Sequence, residues 1–133
     1  MARFGKASQE RLMQAHPDLQ RLLSEAIGHV DFSIVCSYRG REEQGKAVAQ
    51  GKSKTPWPTS KHNHLPSLAV DLCPYRNGMK WNDREAFYYL GGILKGLSIA
   101  MGIPIRWGGD WDGDNDLHDQ RFTDLPHFEI RTP

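Results

Sequence analysis

From Pro17 to Gly28 the apolar residues Leu19, Leu22, Leu23, Ala26 and Ile27 recur at helical spacing. A few residues later the period changes to two, with Phe32, Ile34 and Cys36 alternating with Asp31, Ser33 and Val35. A core-facing helix handing over to a strand across so short a connection binds both elements to one core. Pro17 suits the first turn of that helix and Gly28 its end. Ser8 is placed to cap a preceding short helix running to about Ala15. Beyond the strand, which ends at Ser37-Tyr38-Arg39, the polar segment from Arg41 to about Gln50 reads as a short helix. Gly51 to Thr59, with its prolines and Trp57, reads as an exposed loop. Leu68 to Cys73 is a second strand, closed by Pro74. Asn82 and Glu85 form a capping-box-like pair ahead of a long helix to about Ala100, with Gly102 just past its end. Gly91, Gly92 and Gly96 weaken that helix locally or admit a close neighbour. Ile103 to Trp107 and His127 to Ile130 complete the strands. Helices and short strands mix without regular βαβ alternation, so the expected class is α+β.

The 133 residues suit one domain, since domains commonly run ~100–150 residues. With 17 Lys and Arg against 16 Asp and Glu, the formal net charge of +1 provides no field of one sign to hold nucleic acid or anionic lipid. The first residues lack the apolar core of a signal peptide, and no stretch approaches the ~20 apolar residues of a membrane span. The expectation is a chain without stable membrane association, held in the cytoplasm until something else releases it. Cys36 and Cys73 each lie in an apolar run, which predicts two buried thiols rather than a disulfide or a cysteine metal site.

Of the six histidines, His16 beside a helix-starting proline and His29 after a helix-ending glycine read as capping or surface residues. His62, His64, His118 and His127 lie in the second half among carboxylates. In the segment Ser60 to Asp71, a histidine, a short loop and an aspartate on the next strand can present an imidazole and a carboxylate to one point. His127, flanked by Asp124 and Glu129, can bring a third ligand from far along the chain. Three N/O ligands with one open position is the pattern of a catalytic zinc. On spacing alone a second reading stands beside it, a polar loop with a satisfied histidine and a solvated aspartate.

Ser60-x-His62, Ala69-x-Asp71 and Asp124-x-x-His127 resemble the signature of the zinc D-Ala-D-Ala carboxypeptidase and L-alanyl-D-glutamate endopeptidase superfamily. That group includes VanY-type carboxypeptidases and single-domain phage endolysins. Ser37-Tyr38-Arg39 with Glu43-Gln44 resembles its upstream arginine segment, and Arg106 to Trp111 the tryptophan and glycines ahead of its last motif. The resemblance spans residues 37 to 129, in order. It implies a small antiparallel sheet with flanking helices and a zinc site on the sheet, as in hedgehog and D-Ala-D-Ala peptidase folds. It implies zinc on His62, Asp71 and His127. Asp124 becomes the base that takes a proton from the attacking water, and Arg39 stabilises the oxyanion or anchors the substrate. The common family spacing of seven residues selects His64, whereas the Ser-x-His match selects His62; the latter requires a loop enlarged by two residues, with Ser67 at the family's small position. His64 and Trp107 are then candidate substrate or supporting residues, Ser60 a support, and Glu129 a carboxylate behind the metal.

The implied activity is a zinc metallopeptidase of peptidoglycan stem peptides, a phage endolysin cutting L-alanyl-D-glutamate. It would be monomeric, wait in the cytoplasm for a membrane pore, and then act on the cell wall. A D-alanyl-D-alanine carboxypeptidase uses the same constellation, and a non-catalytic zinc module that only binds wall is a rival of another class. A nuclease reading of His62-Asn63-His64 lacks the basic excess. Trp57, Trp81, Trp107 and Trp111 divide between groove and core. Asp112, Asp114 and Asp116 supply the first ligands of an EF-hand-like loop and make Ca2+ a candidate second ion. Leu117 and Thr123 replace the glycine and glutamate that such a loop requires.

Overall fold

The computed structural model describes residues 2–118 and 123–131. In chain order the elements are α1 (Lys6–Met13), α2 (Pro17–Ala26), β1 (Phe32–Cys36), α3 (Arg41–Ala49), a 3-10 turn (Lys61–Asn63), β2 (Ala69–Pro74), α4 (Arg84–Met101), β3 (Ile105–Trp107) and β4 (His127–Ile130). The strands form one antiparallel sheet in the order β1-β2-β4-β3. The α+β expectation holds, and so does the small antiparallel sheet with its helices.

Packing, more than capping, holds α2. Leu19, Leu22 and Leu23 have no exposed surface. Burying each contributes roughly 1.5–3 kcal/mol, against about 1 kcal/mol for a good cap. His16 supplies that cap, its Nδ1 accepting the Asp18 backbone N–H. Phe87, Leu90 and Leu94 of α4 face α2 and the sheet, and Gly102 ends α4 in the left-handed conformation at φ 69°.

Two caps differ from expectation. Ser8 is buried and its Oγ accepts the Ile34 N–H at 3.0 Å, tying α1 to β1, while Gly5 stands at the N-cap of α1. In α4 the cap is Asp83, whose carboxylate accepts the Ala86 N–H, and not the Asn82–Glu85 pair. Three glycines of α4 were candidates for a close approach, and one provides it. A Cβ on Gly91 would overlap the Trp107 ring, whereas Gly92 and Gly96 face open space.

Strand alternation sorts the sheet into two faces. Val70, Leu72, Trp107 and Phe128 point into the core. Asp71 and His127 are directly opposed on β2 and β4 and share the other face. On β1 the register slips by one residue between Ile34 and Cys36, so Asp71 is paired with Cys36. This bulge corrects the expectation for Cys36. Regular alternation sends it to the core with Ile34, but the extra residue turns it toward Asp71, and it is only half-buried. Cys73 is buried as expected.

Candidate metal centre

Asp71 stands in the middle of β2 with an imidazole on either side. Its Oδ1 is 3.3 Å from His62 Nε2 and 3.4 Å from His127 Nδ1. The two rings meet edge to face, with centroids 5.2 Å apart. His62 Nε2 and Asp71 Oδ1 are buried and neither has a hydrogen-bond partner. Two unsatisfied buried polar atoms of complementary type are costly unless a further group sits between them. Tetrahedral N/O sites with ~2.0–2.1 Å bonds separate their donor atoms by about 3.4 Å, which matches both distances to Asp71, although His62 and His127 fall in separate donor sets.

Each imidazole is oriented from behind. The Nδ1–H of His62 donates to the Ser37 carbonyl at 2.8 Å, so Nε2 is the nitrogen turned toward Asp71. His127 uses the opposite tautomer: Nε2–H donates to Glu129 Oε1 at 2.8 Å, leaving Nδ1 toward Asp71. These assignments follow from the partners each nitrogen meets. Glu129 is itself held by Lys61 Nζ at 2.9 Å. Ser60 caps the 3-10 turn, its Oγ accepting the His62 N–H, while Asn63 Oδ1 accepts the Ser60 N–H. His64 lies just past that turn, exposed, and is not among the groove residues. Ser67 fits a buried slot, its Oγ within hydrogen-bond distance of both the Ser37 and Ala69 carbonyls.

Charge accumulates around Asp71. Burial opposes ionisation of its carboxyl, yet His127 and His62 hold its pKa well below the ordinary range. Burial likewise opposes a charged His62, but Asp71 and the Cys36 thiol outweigh it and hold its pKa at about 10. His127 is raised too, Asp71 and Glu129 overcoming its burial. Asp124 moves the other way for a carboxyl: burial first, then the charge of Asp71, push its pKa up.

Donor atoms of Asp71, Asp124 and His127 lie within 4.8 Å of one another, and so do those of Cys36, His62 and Asp71. Asp71 is common to both sets, and the arrangement can hold a metal ion. Asp124 is fixed by the backbone: its N–H donates to the Gly108 carbonyl at 2.9 Å, and the Gly108 N–H to the His127 carbonyl at 2.8 Å. Trp107 is core rather than groove. It stacks on Phe128 and its Nε1–H donates to the Leu125 carbonyl, bracing the turn that carries Asp124. Arg39 is no surface residue. Its guanidinium reaches Asp71 Oδ2 at 3.4 Å and donates to Gln44 Oε1 at 3.0 Å.

These groups open onto a groove of about 970 Å³ lined by Arg39, His62, Asp71, Asp124 and His127, with Trp81 and Trp111 among its walls. The Trp111 ring lies 5.3 Å from that of His127, and the Arg106 guanidinium sits 5.0 Å over it. No pattern along the chain marks Cys36 or Lys61 as part of the site. Gln44 and Trp111 stood in motifs carrying the resemblance, but nothing in the sequence assigned them a contact.

The acidic loop departs from its expected ligand set. Asp110, Asp112 and Asp114 bring donor atoms within 4.8 Å, and Asp116 stands outside that group. Asp110 is buried and bound by Lys95 Nζ at 2.8 Å. The part of the loop at 119–122 lies outside the described residues.

Fold and site together define a peptidase class: the chain belongs to the phage L-alanyl-D-glutamate peptidase family, whose model matches residues 1–131. It is 35% identical over 121 residues to the L-alanyl-D-glutamate peptidase of Escherichia phage T5, covering 89% of this chain and 88% of that one. Among solved structures it is similar to the Serratia marcescens L-Ala D-Glu endopeptidase ChiX. The TM-score is 0.76 at 28% identity, over 97% of this chain and 90% of that one. Among the described residues no helix is long and apolar enough to cross a membrane.

Proposed function

We propose that this protein is a zinc peptidase that hydrolyses the L-alanyl-D-glutamate bond of peptidoglycan stem peptides. The observation that carries this reading is the pair of imidazole nitrogens, His62 Nε2 and His127 Nδ1, aimed at one buried oxygen of Asp71 at the floor of a groove. A mixed N/O donor set suits borderline-soft zinc, with His62, Asp71 and His127 as ligands. When bound, zinc supplies Lewis acidity to polarise the scissile carbonyl and acidify a water.

Asp124 acts as general base, taking a proton from the attacking water, and then as acid, giving it to the departing glutamyl amine. Its raised pKa favours both transfers. Glu129 is unsuited to that task because its oxygens are engaged by His127 and Lys61. Arg39 presents a permanent charge beside Asp71, where it can hydrogen-bond the developing oxyanion or hold substrate. The names of the relatives favour this endopeptidase over a D-alanyl-D-alanine carboxypeptidase, which uses the same constellation. One monomeric peptidase domain over residues 1–133, acting on the cell wall after release through a membrane pore, goes with this reading.

Mass spectrometry of muropeptides after digestion of purified wall tests it. New L-alanyl carboxyl ends and D-glutamyl amino ends are expected, and Asp124→Ala abolishes both. Release of D-alanine alone sinks the endopeptidase reading, and an unimpaired Asp124→Ala removes Asp124 as base.

A calcium ion at Asp110, Asp112 and Asp114 is a second, separate reading, favoured by the clustered donor atoms and the burial of Asp110. Calorimetric titration of zinc-loaded protein tests it, and absence of calcium uptake sinks it.

A further inference from the structure

We infer that the arm of the groove formed by α3 and the 51–55 loop is a carboxylate subsite for the glutamyl side of the substrate, read by Lys46 and Lys52. This rests on the L-alanyl-D-glutamate reading above and extends it to the direction in which the peptide lies.

The groove is electrostatically lopsided. At its floor the cations are matched: Arg39 by Asp71 and Lys61 by Glu129. Along α3 and the following loop, Lys46, Lys52 and Lys54 line the same groove, and the acid among the described lining residues of that arm is Glu43. Lys46 and Lys52 are exposed, so their ammonium groups stay hydrated and available to an incoming anion. The other end is different in kind. Trp81 hangs from the far end of β2, where Lys80 N–H donates to the Pro74 carbonyl, and it offers an aromatic wall.

The cationic arm is also tied to the catalytic floor. Gln44 is fully buried. Its Oε1 accepts from Arg39 Nη1 at 3.0 Å and Asn63 Nδ2 at 3.1 Å, while its amide donates to Ser53 Oγ and the Thr55 carbonyl. The loop that carries Lys52 is thus held in register with Arg39 and with the turn that carries His62.

Substrate chemistry supplies the complement. A glutamyl residue acylated on nitrogen brings two carboxyl groups, and a peptide continuing from one leaves the other free and ionised. The alanyl side of the bond brings no such charge. The charged arm therefore receives the glutamyl side, and the aromatic end the alanyl side.

The test compares two synthetic stem peptides, one with the glutamyl carboxyl free and one with it amidated, cleaved by zinc-loaded wild type and by Lys46→Gln/Lys52→Gln. Both positions are exposed, so folding is not at stake; a melting curve checks this. Expected for the free-carboxylate peptide is a KM about five-fold higher in the variant with kcat unchanged, the size of two exposed charge contacts. The amidated peptide should show the higher KM already in wild type and no further change in the variant. Equal KM values for the two peptides in wild type, or a variant that leaves both unchanged, overturn the subsite alone. Wild type that cleaves neither peptide overturns the peptidase reading and the subsite with it.

Discussion

Glu129 Oε1 accepts the Nε2–H of His127 at 2.8 Å, although the two residues are only two apart on β4. Strand alternation puts both side chains on the groove face, and the carboxylate thereby fixes which imidazole nitrogen is left to bind. Lys61 holds the other Glu129 oxygen at 2.9 Å.

Glu129→Gln should weaken metal binding by about 10–100-fold, the usual effect of losing a partner behind a ligating histidine. Competition with a coloured chelator measures it. Lys61→Met should act in the same direction and more weakly, because it removes the contact that steadies Glu129 together with the hydrogen bond from Lys61 Nζ to the Ile130 carbonyl. An unchanged affinity in Glu129→Gln would show that His127 needs no such orientation.

Asp124→Asn should lower kcat by about 10²–10⁴, the range for loss of a general acid–base group. The same substitution should stabilise the fold at neutral pH. The pKa of Asp124 is raised in the folded state, so its ionisation opposes folding above the ordinary aspartate range. The gain should vanish below about pH 4, where the native aspartate is protonated folded or unfolded. Denaturant midpoints of both proteins between acid and neutral pH check the sign.

Metal uptake should release protons at pH 7. In the metal-free protein His62 has a pKa of about 10 and is protonated at pH 7, and the protonated fraction of His127 is increased by Asp71 and Glu129. Ligation needs both imidazoles neutral, so affinity falls as pH falls, by about tenfold per unit for each proton released. Calorimetry of zinc binding in buffers of different ionisation enthalpy counts these protons. A count near zero contradicts the charge state described.

Gly108→Ala should abolish activity and destabilise the protein by about 1–3 kcal/mol, the range for forcing extra atoms into a packed site. A Cβ there would overlap the Asp124 carbonyl, and backbone cannot swing aside as a side chain can. Thermal denaturation and wall-lysis assays read the two effects. Gly92→Ala on the open face of α4 is the control, expected to keep activity.

The sequence by itself determined the elements and the order of the chemistry. Helical spacing marks α2 because one face of it must be apolar, and the alternation around Phe32 and Ile34 marks β1 for the same reason. Ser60, His62, Asp71, Asp124 and His127 could be picked out because each stands in a short motif that resembles the superfamily signature, where spacing alone left a solvated polar loop as a second reading. Tertiary structure decided what local spacing cannot encode. Local spacing does not separate His62 from His64; in the fold the 3-10 turn brings His62 to Asp71, while His64 is exposed. The bulge in β1 carries Cys36 out of the core and opposite Asp71, because one extra residue inverts the face of all that follow it. Ser8, Gln44 and Lys61 find partners on other elements, Ser8 and Lys61 on distant strands. Such partners lie outside any pattern a linear chain displays, since they come into being only when separate elements are pressed against one core.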